Sequence, residues 1–300
     1  MRPSDFLANI SDPLTEEHGV SLSMLRLDRI HPIVSGNKYF KLKYYLKDAI
    51  DKGMNTVATF GGPFSNHLHA TAYAAMEKGL HSIGYIRGYP PSALNNTLKD
   101  CIEWGMELNY IPGSEFNSLQ NKLINHPPTN TYIIPMGGYG LMGMKGAKEI
   151  LAFKEAKEFD YIVAASGTGT MAAGLLSTIY EPQQLILLST VKNNFSLQEE
   201  IMALDKSLEL KRNQMKIVFD YHLGGFAKWN NALIDQMNLF YSSHQIPTDF
   251  VYTGKMIYGF YQLLTTNFFE RDKKILLIHS GGLQGNRSLK NGILHFTNLE

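Results

Sequence analysis

The sequence predicts an α/β protein. Short apolar runs rich in β-branched and aromatic residues alternate almost from end to end with longer stretches of helical period. Most of the short runs end in Gly, Pro or Ser, and polar, glycine-rich segments fall where a strand hands over to a helix, the place where α/β sheets bind their ligands.

Taken in order, strands are expected at 57–60, 83–86, 108–111, 132–135, 161–165, 185–189, 217–221 and 275–279. Helices are expected where apolar residues recur on one face: Leu42, Tyr45, Leu46 and Ala49; Leu68, Ala72, Ala75 and Met76; Met256, Phe260, Leu263 and Leu264. A charged helix at 148–159 separates two strands, and a domain boundary is placed near it. The stretch 125–130, with Pro127 and Pro128, reads as a loop. Nothing repeats at a fixed period, which argues against solenoids and propellers.

A chain of 300 residues has room for two domains or one large one. Its 44% hydrophobic and 18% charged content excludes disordered and collagen-like classes. Lys and Arg (28) balance Asp and Glu (27), so no basic surplus points to nucleic acid or to an anionic membrane as partner. The single cysteine, Cys101, cannot close an intramolecular disulfide, which fits a cytoplasmic protein and removes zinc sites built on paired cysteines. We read no signal peptide and no membrane anchor.

Ser166, Gly167, Thr168, Gly169 and Thr170 follow an expected strand and open a helix. Their backbone N–H groups would face an anion, with glycines permitting close approach and threonines adding hydroxyls, so the run reads as a phosphate cup; a plain strand-to-helix turn is the bland alternative. It is neither a dinucleotide fingerprint nor a Walker loop. Lys38 sits at the start of the helix bearing Leu42, where the positive end of the dipole favours a neutral, nucleophilic amine; a solvated lysine is the bland alternative, and the neighbouring Gly36 and Asn37 with a phosphate cup elsewhere shift the balance toward a Schiff base. Ser65 and Asn66 lie between a glycine turn and a helix, with Asn66 expected as the N-cap. His67 and His69 would diverge on a helix start, so a metal pair is not expected and they read as packing residues.

In order, the segments Gly36-Asn37-Lys38 with Lys41 and Leu42, Gly61-Gly62 with Ser65-Asn66-His67, Gly140 with Gly143, Lys145 and Gly146, then Ser166 to Thr170, Val251-Tyr252-Thr253-Gly254-Lys255 and His279-Ser280-Gly281-Gly282 span nearly the whole chain. Together they resemble the pyridoxal-phosphate family of 1-aminocyclopropane-1-carboxylate deaminase and D-cysteine desulfhydrase, within the tryptophan-synthase-β-like fold (fold type II) of two open twisted sheets flanked by helices. The resemblance implies pyridoxal 5'-phosphate as cofactor and Lys38 as its Schiff-base lysine. It implies that Asn66 bonds the phenolic oxygen, that Ser166, Gly167, Thr168, Gly169 and Thr170 hold the phosphate with Lys41, and that Ser65 holds the substrate carboxylate or relays protons. Tyr252 is implied as an acid or nucleophile near the substrate, and Thr253 and Ser280 as hydroxyls near the pyridine nitrogen. Phe226 stands where relatives often carry a second active-site tyrosine, and Phe64 replaces a common glutamine.

The resemblance also implies a small domain, residues 43–153, inserted into a large cofactor-binding one, residues 1–42 and 154–300, and a homodimer. The expected reaction is β-elimination from a small amino acid, as in D-cysteine desulfhydrase, giving pyruvate, ammonia and sulfide. Ring opening by a 1-aminocyclopropane-1-carboxylate deaminase is the alternative in the same class. Readings from other classes are a non-catalytic phosphate-ligand or cofactor-binding protein, for which Phe226 is the motive, and an α/β enzyme without this cofactor.

Overall fold

The computed structural model describes residues 2–296. Ten strands form two sheets among the described residues. β1 (Leu7–Ile10), β2 (Ser21–Arg26), β7 (Tyr161–Ser166), β8 (Gln184–Ser189), β9 (Met215–Val218) and β10 (Lys274–His279) make the larger one, in the order β1-β2-β10-β7-β8-β9. Its pairings are parallel except β1 with β2. β3 (Thr56–Gly61), β4 (His81–Arg87), β5 (Met106–Ile111) and β6 (Thr131–Ile134) make the smaller, wholly parallel sheet in the order β5-β4-β3-β6. A parallel sheet needs both faces covered. The larger sheet accordingly separates one apolar cluster around Leu25, Leu176 and Ile278 from another around Met24, Phe260 and Leu277.

The six-stranded sheet is assembled from both ends of the chain, and the four-stranded one comes from the stretch between them. The helix Asn37–Asp51 leads from the first to the second. Its start is held against the turn after β10: Asn37 N donates to Ser280 O at 3.1 Å. Gly36, with φ 65°, lies so close to that turn that a Cβ would collide with the Ser280 carbonyl oxygen. Only glycine permits this approach at a left-handed residue, and it brings Lys38 and Ser280 to one place.

Four expectations need correction. The charged stretch at 148–159 is not one helix but two short 3-10 turns, Lys148–Leu151 and Lys154–Glu158, because Ala152 and Phe153 leave the helical region between them. The strand expected at 217–221 is Met215–Val218, beginning two residues and ending three residues earlier. Met76, expected on the core face, is 43% exposed. The helix Asn66–Glu77 is capped by Ser65 and not by Asn66: Ser65 Oγ accepts from the N–H groups of His67 and Leu68 at 3.2 and 3.3 Å. Strands β1 and β2 and the helix Asn231–His244 lie where no element was expected.

Candidate active site

A cavity of about 1390 Å³ opens along the ends of both sheets. Lys38, Lys41, Ser65, Asn66, Ser166, Gly167, Thr168, Gly169, Tyr252 and Ser280 all line it. Segments more than 200 residues apart in sequence thus meet at one wall. Thr170 and Thr253 belong to the same segments but stand behind the wall, fully buried. A smaller cavity of about 390 Å³ lies against the Asn37–Asp51 helix and is lined by none of these site residues.

Lys38 is the second residue of that helix, as its sequence position suggested. Burial pushes its ammonium down to about 8, against the pull of the Asp249 carboxylate. Its Nζ donates to Asn37 Oδ1 at 3.3 Å. Lys41, one helical turn on, is buried and donates to the Gly137 carbonyl at 3.3 Å; burial, reinforced by the Lys38 charge, holds it well below the usual lysine range. Two desolvated amines sharing a wall favour an anion between them.

The cup forms where β7 gives way to the helix Thr170–Thr178. The buried hydroxyls of Ser166 and Thr170 have no hydrogen-bond partner within the protein. An orphaned buried donor costs about 1–3 kcal/mol, and of the two Ser166 lines the cavity, where a ligand that accepts hydrogen bonds would satisfy it. Asn194 Nδ2 steadies it from outside by donating to the Gly167 carbonyl at 3.3 Å.

Ser65, having accepted two backbone N–H groups, keeps its own O–H free at the cavity. Because Ser65 does the capping, Asn66 is released from that task, and its carboxamide meets Gln284. Tyr252 is edge-on to Phe226, with ring centroids 6.0 Å apart, and burial raises its phenol above the ordinary tyrosine value. Lys255 holds the Phe226 loop from below, donating to the carbonyls of His222 and Gly225 at 2.8 and 2.5 Å.

Two residues of the site, the buried Asp249 and the partly exposed Gln284, escaped the sequence reading, and His67 takes the packing place expected of it. Asp249, with no exposed surface, accepts from the N–H groups of Val251, Tyr252 and Thr253, fixing the backbone that presents Tyr252. An acidic residue four positions ahead of a helix start was the available signal. His67 is 2% exposed and pairs its Nε2 with Thr59 Oγ1, whose hydroxyl hydrogen goes to the Ile134 carbonyl. Its place is therefore structural on one side, with Nδ1 unpartnered on the other. Gln284 had no local signal at all.

A desolvated lysine, a strand-to-helix loop with unpaired hydroxyls and polar side chains around one cavity are the kind of lining that a phosphorylated ligand with an amine-reactive group would suit. The chain belongs to the family of pyridoxal-phosphate dependent enzymes, whose family model matches residues 10–281. A Thermotoga maritima protein provisionally named 1-aminocyclopropane-1-carboxylate deaminase is 30% identical, the match covering 94% of each chain. The D-cysteine desulfhydrase of Salmonella newport is 27% identical over 93% of this chain and 91% of its own. Among solved structures, that of an ACC deaminase homologue superposes with a TM-score of 0.77 at 28% identity, covering 93% of this chain and 90% of the other. Pyridoxal 5'-phosphate is the cofactor of this family, and the unpaired hydroxyls and the two lysines suit its phosphate and aldehyde. The α/β enzyme without this cofactor and the non-catalytic protein are thereby set aside.

Proposed function

We propose that the protein is a lyase that eliminates the β-substituent of a small amino acid, with D-cysteine preferred and pyruvate, ammonia and sulfide as products, one water being consumed. The observation that carries this reading is a single cavity wall joining Lys38, its amine pushed down to about 8, to the anion cup and to the free hydroxyls of Ser65 and Tyr252.

The cofactor, when bound, withdraws electrons from the amino acid's α-carbon. Lys38 would hold the cofactor through its amine, and its Nζ would take the substrate's α-proton. Ser166, Gly167, Thr168, Gly169 and Thr170 hold the phosphate together with Lys41, and Asn66 bonds the ring oxygen. The free O–H of Ser65 binds the substrate carboxylate. Tyr252, kept protonated because burial raises its phenol, gives its proton to the departing sulfur. Ser280, which lines the cavity, would offer a hydroxyl to the ring nitrogen, with the buried Thr253 in support. A hydroxyl supports electron withdrawal less than a carboxylate does, and expulsion of a thiolate tolerates that better than opening a carbon ring.

The alternative, opening of 1-aminocyclopropane-1-carboxylate, is favoured by the provisional names of the relatives at about 30% identity. Sulfide release from D-cysteine, assayed beside 2-oxobutanoate release from the cyclopropane amino acid, separates the two. Faster turnover of D-cysteine is expected, and the reverse order would overturn the choice.

The reading extends to organisation. The sheet drawn from residues between 56 and 134 supports a small domain at 43–153, inserted into a large one of 1–42 and 154–300. The homodimer is a family expectation that light scattering will test. The lone, buried Cys101 is in keeping with the cytoplasm, and no helix among the described residues is long and apolar enough to cross a membrane.

A further inference from the structure

Asn66 is held by a residue that no motif includes. Gln284 follows β10 and lies 218 residues from Asn66, and its Nε2 donates to Asn66 Oδ1 at 2.5 Å. The other end of the Gln284 amide is also engaged: its Oε1 accepts from the hydroxyl of Thr97 at 2.9 Å. Thr97 is 4% exposed, so the chain Thr97–Gln284–Asn66 is closed to water at its far end.

The surroundings of Asn66 agree with that orientation. A Cβ on Gly282 would stand 2.8 Å from Asn66 Nδ2 and 3.5 Å from Asp249 Oδ1, so the amide nitrogen and the buried carboxylate lie on one side. A reversed amide would turn its oxygen toward that carboxylate, setting two acceptors face to face. Gly282, with φ 92°, carries no side chain into this space and leaves the NH2 end of Asn66 open to the cavity.

We propose that Gln284 is a positioning residue, which holds the Asn66 carboxamide by its oxygen and so makes Asn66 a hydrogen-bond donor to the ring oxygen of the bound cofactor. The proposal rests on the assignment of Asn66 to that oxygen. Thr97 fixes Gln284 in turn, because the one hydroxyl hydrogen it has is spent on Oε1. A residue that can only accept at position 284 reverses the sense: a glutamate there draws the Asn66 NH2 to itself and turns the amide oxygen to the cavity.

The test compares the affinities of the apo-protein for pyridoxal 5'-phosphate and for its 3-deoxy analogue, which lacks only the ring oxygen. Wild type prefers the natural cofactor. In Asn66→Ala and in Gln284→Glu the preference ratio should fall about tenfold, the scale of one charge-assisted hydrogen bond. Thr97→Val, which leaves Gln284 in place but free to turn, should fall between these and wild type. A ratio that collapses in Asn66→Ala but keeps its wild-type value in Gln284→Glu and Thr97→Val overturns the positioning role. A ratio untouched by Asn66→Ala overturns the assignment of Asn66 itself, and the inference with it.

Discussion

Gly167 of the anion cup touches the active-site tyrosine: a Cβ on the glycine would stand 3.2 Å from Tyr252 Cε1 and 3.6 Å from its hydroxyl. The loop proposed to hold the phosphate and the ring proposed to face the substrate are thus neighbours, and a side chain larger than a methyl at 167 crowds the Tyr252 ring.

Gly167→Val is accordingly expected to weaken cofactor binding by about tenfold or more, equivalent to about 1.4 kcal/mol, since it also obstructs close approach to the backbone donors. Thr168→Ala removes one hydroxyl from a cup held mainly by backbone N–H groups and should weaken it less. Titration of each apo-protein with pyridoxal 5'-phosphate checks the order. Equal and negligible effects would count against the cup.

Tyr252→Phe should lower turnover roughly 100-fold while cofactor occupancy stays high, because a positioned proton donor is lost and no cofactor contact is. Ser65→Ala should lower turnover too, but it carries a second effect. As the N-cap of Asn66–Glu77 its loss costs about 1 kcal/mol of stability, so the melting temperature falls for Ser65→Ala and not for Tyr252→Phe. Steady-state kinetics with a thermal melt on both variants separate the two. Unchanged turnover in both would remove the proposed roles.

The pH dependence of cofactor capture follows from Lys38. Its ammonium is pushed from 10.5 down to about 8 by burial, so the neutral amine that attacks the aldehyde fills in through pH 8. The rate of colour development on adding cofactor to apo-protein should rise to that point and flatten above it; continued growth toward pH 10 would show an ordinary lysine instead. The same shift has a stability counterpart. Between about 8 and 10.5 the unfolded chain holds a proton that the folded apo-protein has released, so the cost of burying this charge is relieved and stability rises as pH rises through that window, the full cost remaining below about 8.

The Phe226 loop supplies a prediction about substrate fit. Lys255 ties the carbonyls of His222 and Gly225 beneath it, and Leu223, Gly224, Gly225 and Ala227 all hold positive φ there. Lys255→Met removes both tethers, leaves the chemistry groups in place, and should raise KM severalfold with a smaller change in kcat. An unchanged KM would mean that the loop keeps its place without the lysine.

Much of this architecture was legible because the physics was local. β3, β7, β8 and β10 are near-continuous apolar runs, as fully covered parallel strands must be, and the lysine and cup segments sit at strand-to-helix or loop-to-helix handovers. β1 and β2 were missed because Asn9 and Ser23 interrupt their apolar pattern; the two side chains bond each other across the antiparallel pair at 2.9 Å. Ser65 and Asn66 are both good caps, and only the folded geometry shows that the serine takes the task. Gln284 acts on a residue that the fold, not the chain, brings beside it, so no spacing rule reaches it, whereas Asp249 bonds its own chain neighbours Val251, Tyr252 and Thr253 and only a generic helix-start rule points to it.

The central claim is that Lys38 carries the cofactor. Borohydride reduction of the loaded, yellow protein, followed by proteolysis and peptide mapping, tests it most directly. The modified residue should be Lys38, with Lys38→Ala giving no trapped cofactor. Label on Lys41 or Lys255, or full trapping in Lys38→Ala, would contradict the account.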